Sequence, residues 1–226
     1  MKTLRMLTIT RYCSWIAVAA MSALFACAGA SAASRPTSAR ELPTSPSWEQ
    51  GNFAALVPGT TYQASRVTPT PTIRPQDGGW SGTQVVTHQA GKVRYESAAF
   101  LGHQGEIDLT SGPAMKLSPA AALAAPRARS RDWNFAPYDP PGPVKRWTLV
   151  GRSALYFDAT APPPGVWTLV GSNPPELRIE HDHSFRMAAL SVRGKTVVIV
   201  IQAAATDFAK FLPVAQRLLV SLRFPS

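Results

Sequence analysis

Residues 193–224, RGKTVVIVIQAAATDFAKFLPVAQRLLVSLRF, decide the fold. Arg193-Gly194-Lys195 is a turn signal. It leads into TVVIVIQAAA, which is apolar at consecutive rather than alternate positions. Such a strand must be covered on both faces and lie inside its sheet. Behind it, Phe208, Phe211, Leu212, Ala215, Leu218, Leu219 and Leu222 follow the i, i+3, i+4, i+7 spacing of one helix face. Thr206 can cap that helix, and Asp207 suits its first turn. Pro213 removes one i→i−4 bond, which predicts a first turn over 207–211 and then a main helix with Pro213 near its start. Burying this stripe against the central strand contributes roughly 1.5–3 kcal/mol per large side chain.

Upstream, LRIE and FRMAALSV flank HDHS (residues 181–184) as the two arms of a hairpin. The pentapeptide WTLVG occurs at Trp147–Gly151 and again at Trp167–Gly171, which predicts two similar strands in one sheet. Residues 48–117 hold further short strands, TTYQASRV, TQVVTH, VRYESAAFL and GEIDLTS, separated by glycine-containing turns. TPTPTI has proline at alternate positions and suits only an edge strand or extended segment. Ser118 and Pro119 are an N-cap and a first helical residue, and AAALAA then makes a short helix ended by Pro126. From there to Pro143 a loop is expected, pinned by Trp133, Phe135 and Tyr138. The fold class is therefore α+β: a single domain with a mainly antiparallel sheet, packed by a C-terminal amphipathic helix and a short mid-chain helix.

The N-terminus has a different character. Lys2, Arg5 and Arg11 precede a charge-free run of 16 residues, 12–27, shorter than the about 20 that a spanning helix needs. With the small residues that follow, this reads as a signal peptide over residues 1–32. Ala30-Ser31-Ala32 is a cleavage site that releases the chain at Ala33. Leu24-Phe25-Ala26-Cys27 resembles a bacterial lipobox, with Cys27 as the lipidated residue and Phe25 bulkier than usual. Either way the product is extracytoplasmic: secreted, or lipid-anchored at the outer face of the cytoplasmic membrane. Residues 33–47, rich in Pro and Ser, read as a tether, and 48–226 as the folded domain.

Both cysteines, Cys13 and Cys27, lie in the signal region, so the mature domain has no disulfide, no cysteine nucleophile and no thiolate metal ligand. The net charge is +10; removing Lys2, Arg5 and Arg11 from the 23 basic residues leaves 20 against 13 acidic, or about +7. In an exported protein this excess favours anionic lipid or cell-wall polymer over nucleic acid. The nearest basic cluster, Arg127, Arg129 and Arg131, reads as a solvated loop.

The last 35 residues, together with PGTTYQASRVTPTPTI and DGGW, resemble a group of exported actinobacterial proteins and lipoproteins of unknown function. The strand, turn, apolar strand and terminal helix ending in Ser221-Leu222-Arg223-Phe224 further resemble the PsbP-like fold, which includes the LpqN lipoproteins. The resemblance covers about half of the mature chain and rests on packing residues. It implies an α+β sheet packed by helices and a non-catalytic binding or accessory role, and carries no functional residue across.

The residues themselves offer little chemistry. Gly194-Lys195-Thr196 is not a phosphate loop, because position 189 is Ala and a strand follows. Gly151-Arg152-Ser153-Ala154-Leu155 lacks the second glycine of a nucleophile elbow. His181 and His183 would share a face of a strand and could hold one metal, with His88 or His103 completing the set; the alternative is a polar turn. Glu106 and Asp108 are the close carboxylate pair and read as a solvated strand face. The tryptophans could stack on glycan rings, but core and loop anchoring accounts for most of them. No cofactor motif is present. The reading is a monomeric, non-enzymatic envelope protein whose ligand is an anionic lipid, a cell-wall polymer or a small apolar molecule. The alternative is a secreted hydrolase using His with Ser or carboxylate residues. Mass spectrometry of the protein from its native host should find no residue before Cys27, and either an acylated Cys27 or a free Ala33 at the N-terminus.

Overall fold

A computed structural model describes residues 38–46, 51–89, 92–111, 116–131, 142–161, 167–168, 178–180 and 182–225. Five two-residue strands come first: β1 (Arg40–Glu41), β2 (Thr44–Ser45), β3 (Ala54–Ala55), β4 (Tyr62–Gln63) and β5 (Thr72–Ile73). Three longer strands follow, β6 (Trp80–Gln89), β7 (Lys92–Gly102) and β8 (Gly105–Thr110), then helix α1 (Pro119–Arg131). Next are β9 (Lys145–Leu149), β10 (Arg152–Thr160), β11 (Trp167–Thr168) and β12 (Arg178–Ile179). The chain closes with β13 (His183–Val192), β14 (Lys195–Ala204) and α2 (Phe208–Val220).

The main sheet has nine strands in the order β2-β6-β7-β8-β14-β13-β10-β9, with β3 also on β6. It is antiparallel except where β2 meets β6. A three-stranded sheet, β1-β4-β5, and the β11-β12 pair are separate from it. β14 lies inside the main sheet between β8 and β13, as its two apolar faces require. Val197, Ile199, Ile201 and Ala203 belong to one core with Phe211, Ala215, Leu218, Leu219 and Leu222 of α2. Val198 and Val200 belong to a second core with Phe157, Phe185, Met187 and α1's Ala122 and Leu123. The sheet is thus the middle of three layers, with a helix on each face.

The α2 layer sits tightly on the sheet. A Cβ added at Gly105 would lie 2.5 Å from the Phe211 ring, so only bare backbone lets that ring lie on the start of β8. Trp80 flanks the same ring at 6.1 Å between centroids.

Several local expectations are corrected. α2 is one continuous helix through Pro213, and its N-cap is Asp207, without a side-chain cap bond, rather than Thr206. Pro213 and Ala209 are both exposed, so the carbonyl that loses its partner faces water. α1 likewise continues past Pro126 to Arg131. One lost bond does not outweigh the packing of Ala122 and Leu123, and Ser118 caps the start by accepting from the Ala121 N–H at 3.2 Å. Arg127, Arg129 and Arg131 therefore lie on a helix rather than a loop.

The two WTLVG copies lie in different sheets, Trp147 in β9 and Trp167 in β11. LRIE contributes β12, which pairs with β11 and not with β13. Both edges of β13 are already taken, by β10 and β14. The fold also starts earlier than Trp48: β1 and β2 are paired, and Leu42 is buried. Glu41 fastens this segment by accepting from Ser65 N (3.0 Å) and Oγ (2.7 Å), Gln84 Nε2 (2.6 Å) and Gln63 Nε2 (2.9 Å). Burial pushes its carboxyl up, but these bonds together hold it below the ordinary range.

Phe211→Ala should lower the unfolding free energy by about 3–5 kcal/mol, measured by urea denaturation, because it opens a cavity between α2 and the glycine start of β8.

Candidate functional site

The carboxylate pair on β8 is not a solvated strand face, because Asp108 is buried and Glu106 is half-buried. Asp108 is 1% exposed and lies across from Ala99 on β7 and Val200 on β14. Glu106 is opposite Gln202, whose Nε2 donates to Glu106 Oε2 at 3.2 Å and whose Oε1 accepts from the Glu180 N–H at 3.3 Å. Burial pushes the Asp108 carboxyl well above its usual range, and the Glu106 charge pushes it further. Alternation along β8 puts this face toward the interior layer instead of water. The expectation failed because an isolated E-x-D pattern carries no sign of which sheet face is covered.

The histidines are differently placed. His183 opens β13 opposite Ala204, with its backbone N–H on the Glu180 carbonyl at 3.3 Å. His181 lies outside the described residues, and so does the side chain of His88. His103, at the β7–β8 turn, bonds the Gly78 carbonyl at 3.0 Å and packs edge-on against Trp80 at 5.0 Å. Among the described residues no group of three or more His, Cys, Asp or Glu side chains could hold a metal ion. Trp80 is buried, and Trp147 packs on the core beside Tyr156, with the Arg186 guanidinium 5.7 Å from the Trp147 ring and 4.1 Å from Tyr156. A bidentate pair with Asp158, at 2.7 and 3.0 Å, holds Arg186 there.

A basic cleft lies where α2 ends. Reciprocal backbone bonds of 2.8 Å join Thr72 to Arg223, so the tail after α2 is fastened along β5. Ser221 Oγ donates to the Leu218 carbonyl at 2.7 Å and accepts from the Arg74 N–H at 3.1 Å. These bonds bring Arg74, Arg217 and Arg223 around one cleft of about 430 Å³. Thr61, Thr72, Ser221 and Gln76 line it as well, and among the described residues no carboxylate does.

Each guanidinium is partly engaged. Arg74 Nε donates to the Gly59 carbonyl at 2.7 Å. Arg223 Nη1 donates to the Val220 and Leu222 carbonyls, both at 2.7 Å, and so caps the helix end. Arg217 is 3.8 Å from Asp77 Oδ2, a loose pair, and its side chain is 62% exposed. Guanidinium has five donors in a fixed fork, so each arginine keeps donors to offer. Three like charges converging on one cleft repel each other, and an anion placed among them relieves that repulsion. The sequence reading missed this cluster because its members are far apart in the chain.

No protein-family model matches the chain, and no curated protein matches it. Among solved structures it is similar to the solution structure of cyanobacterial PsbP (CyanoP) from Synechocystis sp. PCC 6803, with 10% identity and a TM-score of 0.41 over 78% of this chain and 99% of that one. It is also similar to the crystal structure of LpqN, involved in cell envelope biogenesis of Mycobacterium tuberculosis, with 12% identity and a TM-score of 0.33 over 81% of this chain and 82% of that one. Both fall within the PsbP-like fold that the sequence resemblance pointed to, and the likeness is loose and concerns the fold.

Because the folded state raises the Asp108 pKa, its contribution to stability is full in acid and is lost as pH rises through the raised value. Asp108→Asn should therefore increase the melting temperature at pH 8 and change it little near pH 4, as followed by thermal unfolding across pH.

Proposed function

We propose that this chain is an extracytoplasmic, non-enzymatic binding protein of the cell envelope, and that its arginine cleft holds an anionic group of the ligand. The observation that carries the reading is the convergence of Arg74, Arg217 and Arg223 on a cleft that no carboxylate lines among the described residues. Planar guanidinium forks match the oxygens of phosphate and carboxylate, and the lining residues Thr61 and Thr72 carry hydroxyl donors as well. The basic balance of the whole sequence acts in the same direction, drawing an anionic ligand from a distance. In this reading the first 32 residues carry the chain out of the cytoplasm, with release at Ala33 or anchoring through Cys27. The tight packing of Phe211 against Gly105 favours contact at the surface over an apolar ligand beneath α2.

Inorganic polyphosphate tests the cleft by isothermal titration calorimetry. Binding should weaken steeply between low and high salt. Arg217→Gln, which disturbs only the loose pair with Asp77, should weaken it about tenfold. Unchanged affinity in an Arg74→Gln/Arg217→Gln double variant would sink the assignment.

A further inference from the structure

A second cleft, of about 600 Å³, lies at the turn between β4 and β5. Thr44, Ser65, Arg66, Thr68 and Glu96 line it, with Val86 at its apolar part. We infer that the ligand is an anionic glycopolymer, sugar units carrying phosphate, with its charge in the arginine cleft and its sugar hydroxyls in this second cleft. The inference rests on the reading of the arginine cleft given above.

Two observations carry it. The first is the chemistry of the lining. Glu96 offers a carboxyl acceptor, Arg66 a donor fork, and Thr44 and Thr68 hydroxyls that both donate and accept. That mixture suits the vicinal hydroxyls of a sugar, and one opposed charge pair leaves the cleft without the single-sign field of its neighbour. Ser65 is already committed, its Oγ donating to Glu41 at 2.7 Å, and so holds the wall in place.

The second is position. Thr61 and Thr72 line the arginine cleft, and Ser65 and Thr68, in the turn between the same two strands, line the second. Four residues of chain separate the linings on each strand, a reach of at most about 14 Å. A few linked sugars cover that span, so one polymer can occupy both clefts. Neither site needs high affinity alone, because binding at one raises the effective concentration at the other.

The experiment compares phosphorylated dextran, plain dextran and inorganic polyphosphate by calorimetry, using wild type, Glu96→Ala, Thr44→Val and Arg217→Gln, with unfolding curves to show that each variant folds. Wild type should prefer phosphorylated dextran to polyphosphate. Glu96→Ala removes a negative charge and by electrostatics alone would strengthen binding to any polyanion. It should instead weaken phosphorylated dextran about tenfold and erase the preference, with Thr44→Val acting in the same direction. If wild type holds both anionic polymers equally, or Glu96→Ala keeps the preference, the glycopolymer inference is overturned while the arginine cleft stands. If wild type binds neither polyphosphate nor phosphorylated dextran, both readings fall. Plain dextran binding as tightly as its phosphorylated form would overturn the role of charge.

Discussion

The burial of β14 on both faces is the constraint from which the rest of the structure follows. A run of Val and Ile with no polar side can be satisfied only between two layers. α2 supplies one layer, and α1 with the β10 and β13 side chains supplies the other. The close seat of Phe211 on Gly105 then fixes where α2 lies along the sheet. That in turn fixes where α2 ends, and the chain leaving it is stapled to β5 through Thr72 and Arg223. The arginine cleft is thus a consequence of core packing: hydrophobic burial sets the helix axis, and the axis delivers the basic side chains.

Charge is handled in opposite ways inside and out. On the α1-facing side of β7 and β8 the sheet carries buried polar groups, Ser97, Asp108 and Thr110. Ser97 Oγ and Asp108 Oδ1 have no hydrogen-bond partner there. A carboxylate in such a place is disfavoured as an anion, and burial together with the Glu106 charge pushes the Asp108 carboxyl well above its usual range. At the surface the excess of arginine stays charged and solvated, and the α2 end gathers three of them where the helix's own carbonyl dipoles offset part of the repulsion.

The N-terminal segment shows how composition can mislead. Pro and Ser content from residue 33 to 47 reads as a tether. Glu41 with its four accepted hydrogen bonds and Leu42 in the core hold the segment instead, and the same residues help to wall the second cleft through Ser65. The WTLVG copies teach the same lesson from the other side: Trp147 and Trp167, which open identical pentapeptides, enter different sheets.

The sequence by itself determined the α+β class, the doubly covered central strand, the amphipathic terminal helix with Leu218 and Leu219 inward, and the turn at Gly194. These follow from local periodicity and from backbone preferences, which act within a few residues. Tertiary structure decided the partners of β12 and β13, the burial of Asp108, and both clefts. Arg74 meets Ser221 across 147 positions, and no local pattern encodes such a meeting. It arises only when the hydrophobic surfaces of β14 and α2 have closed on each other and left the polar ends of distant segments side by side.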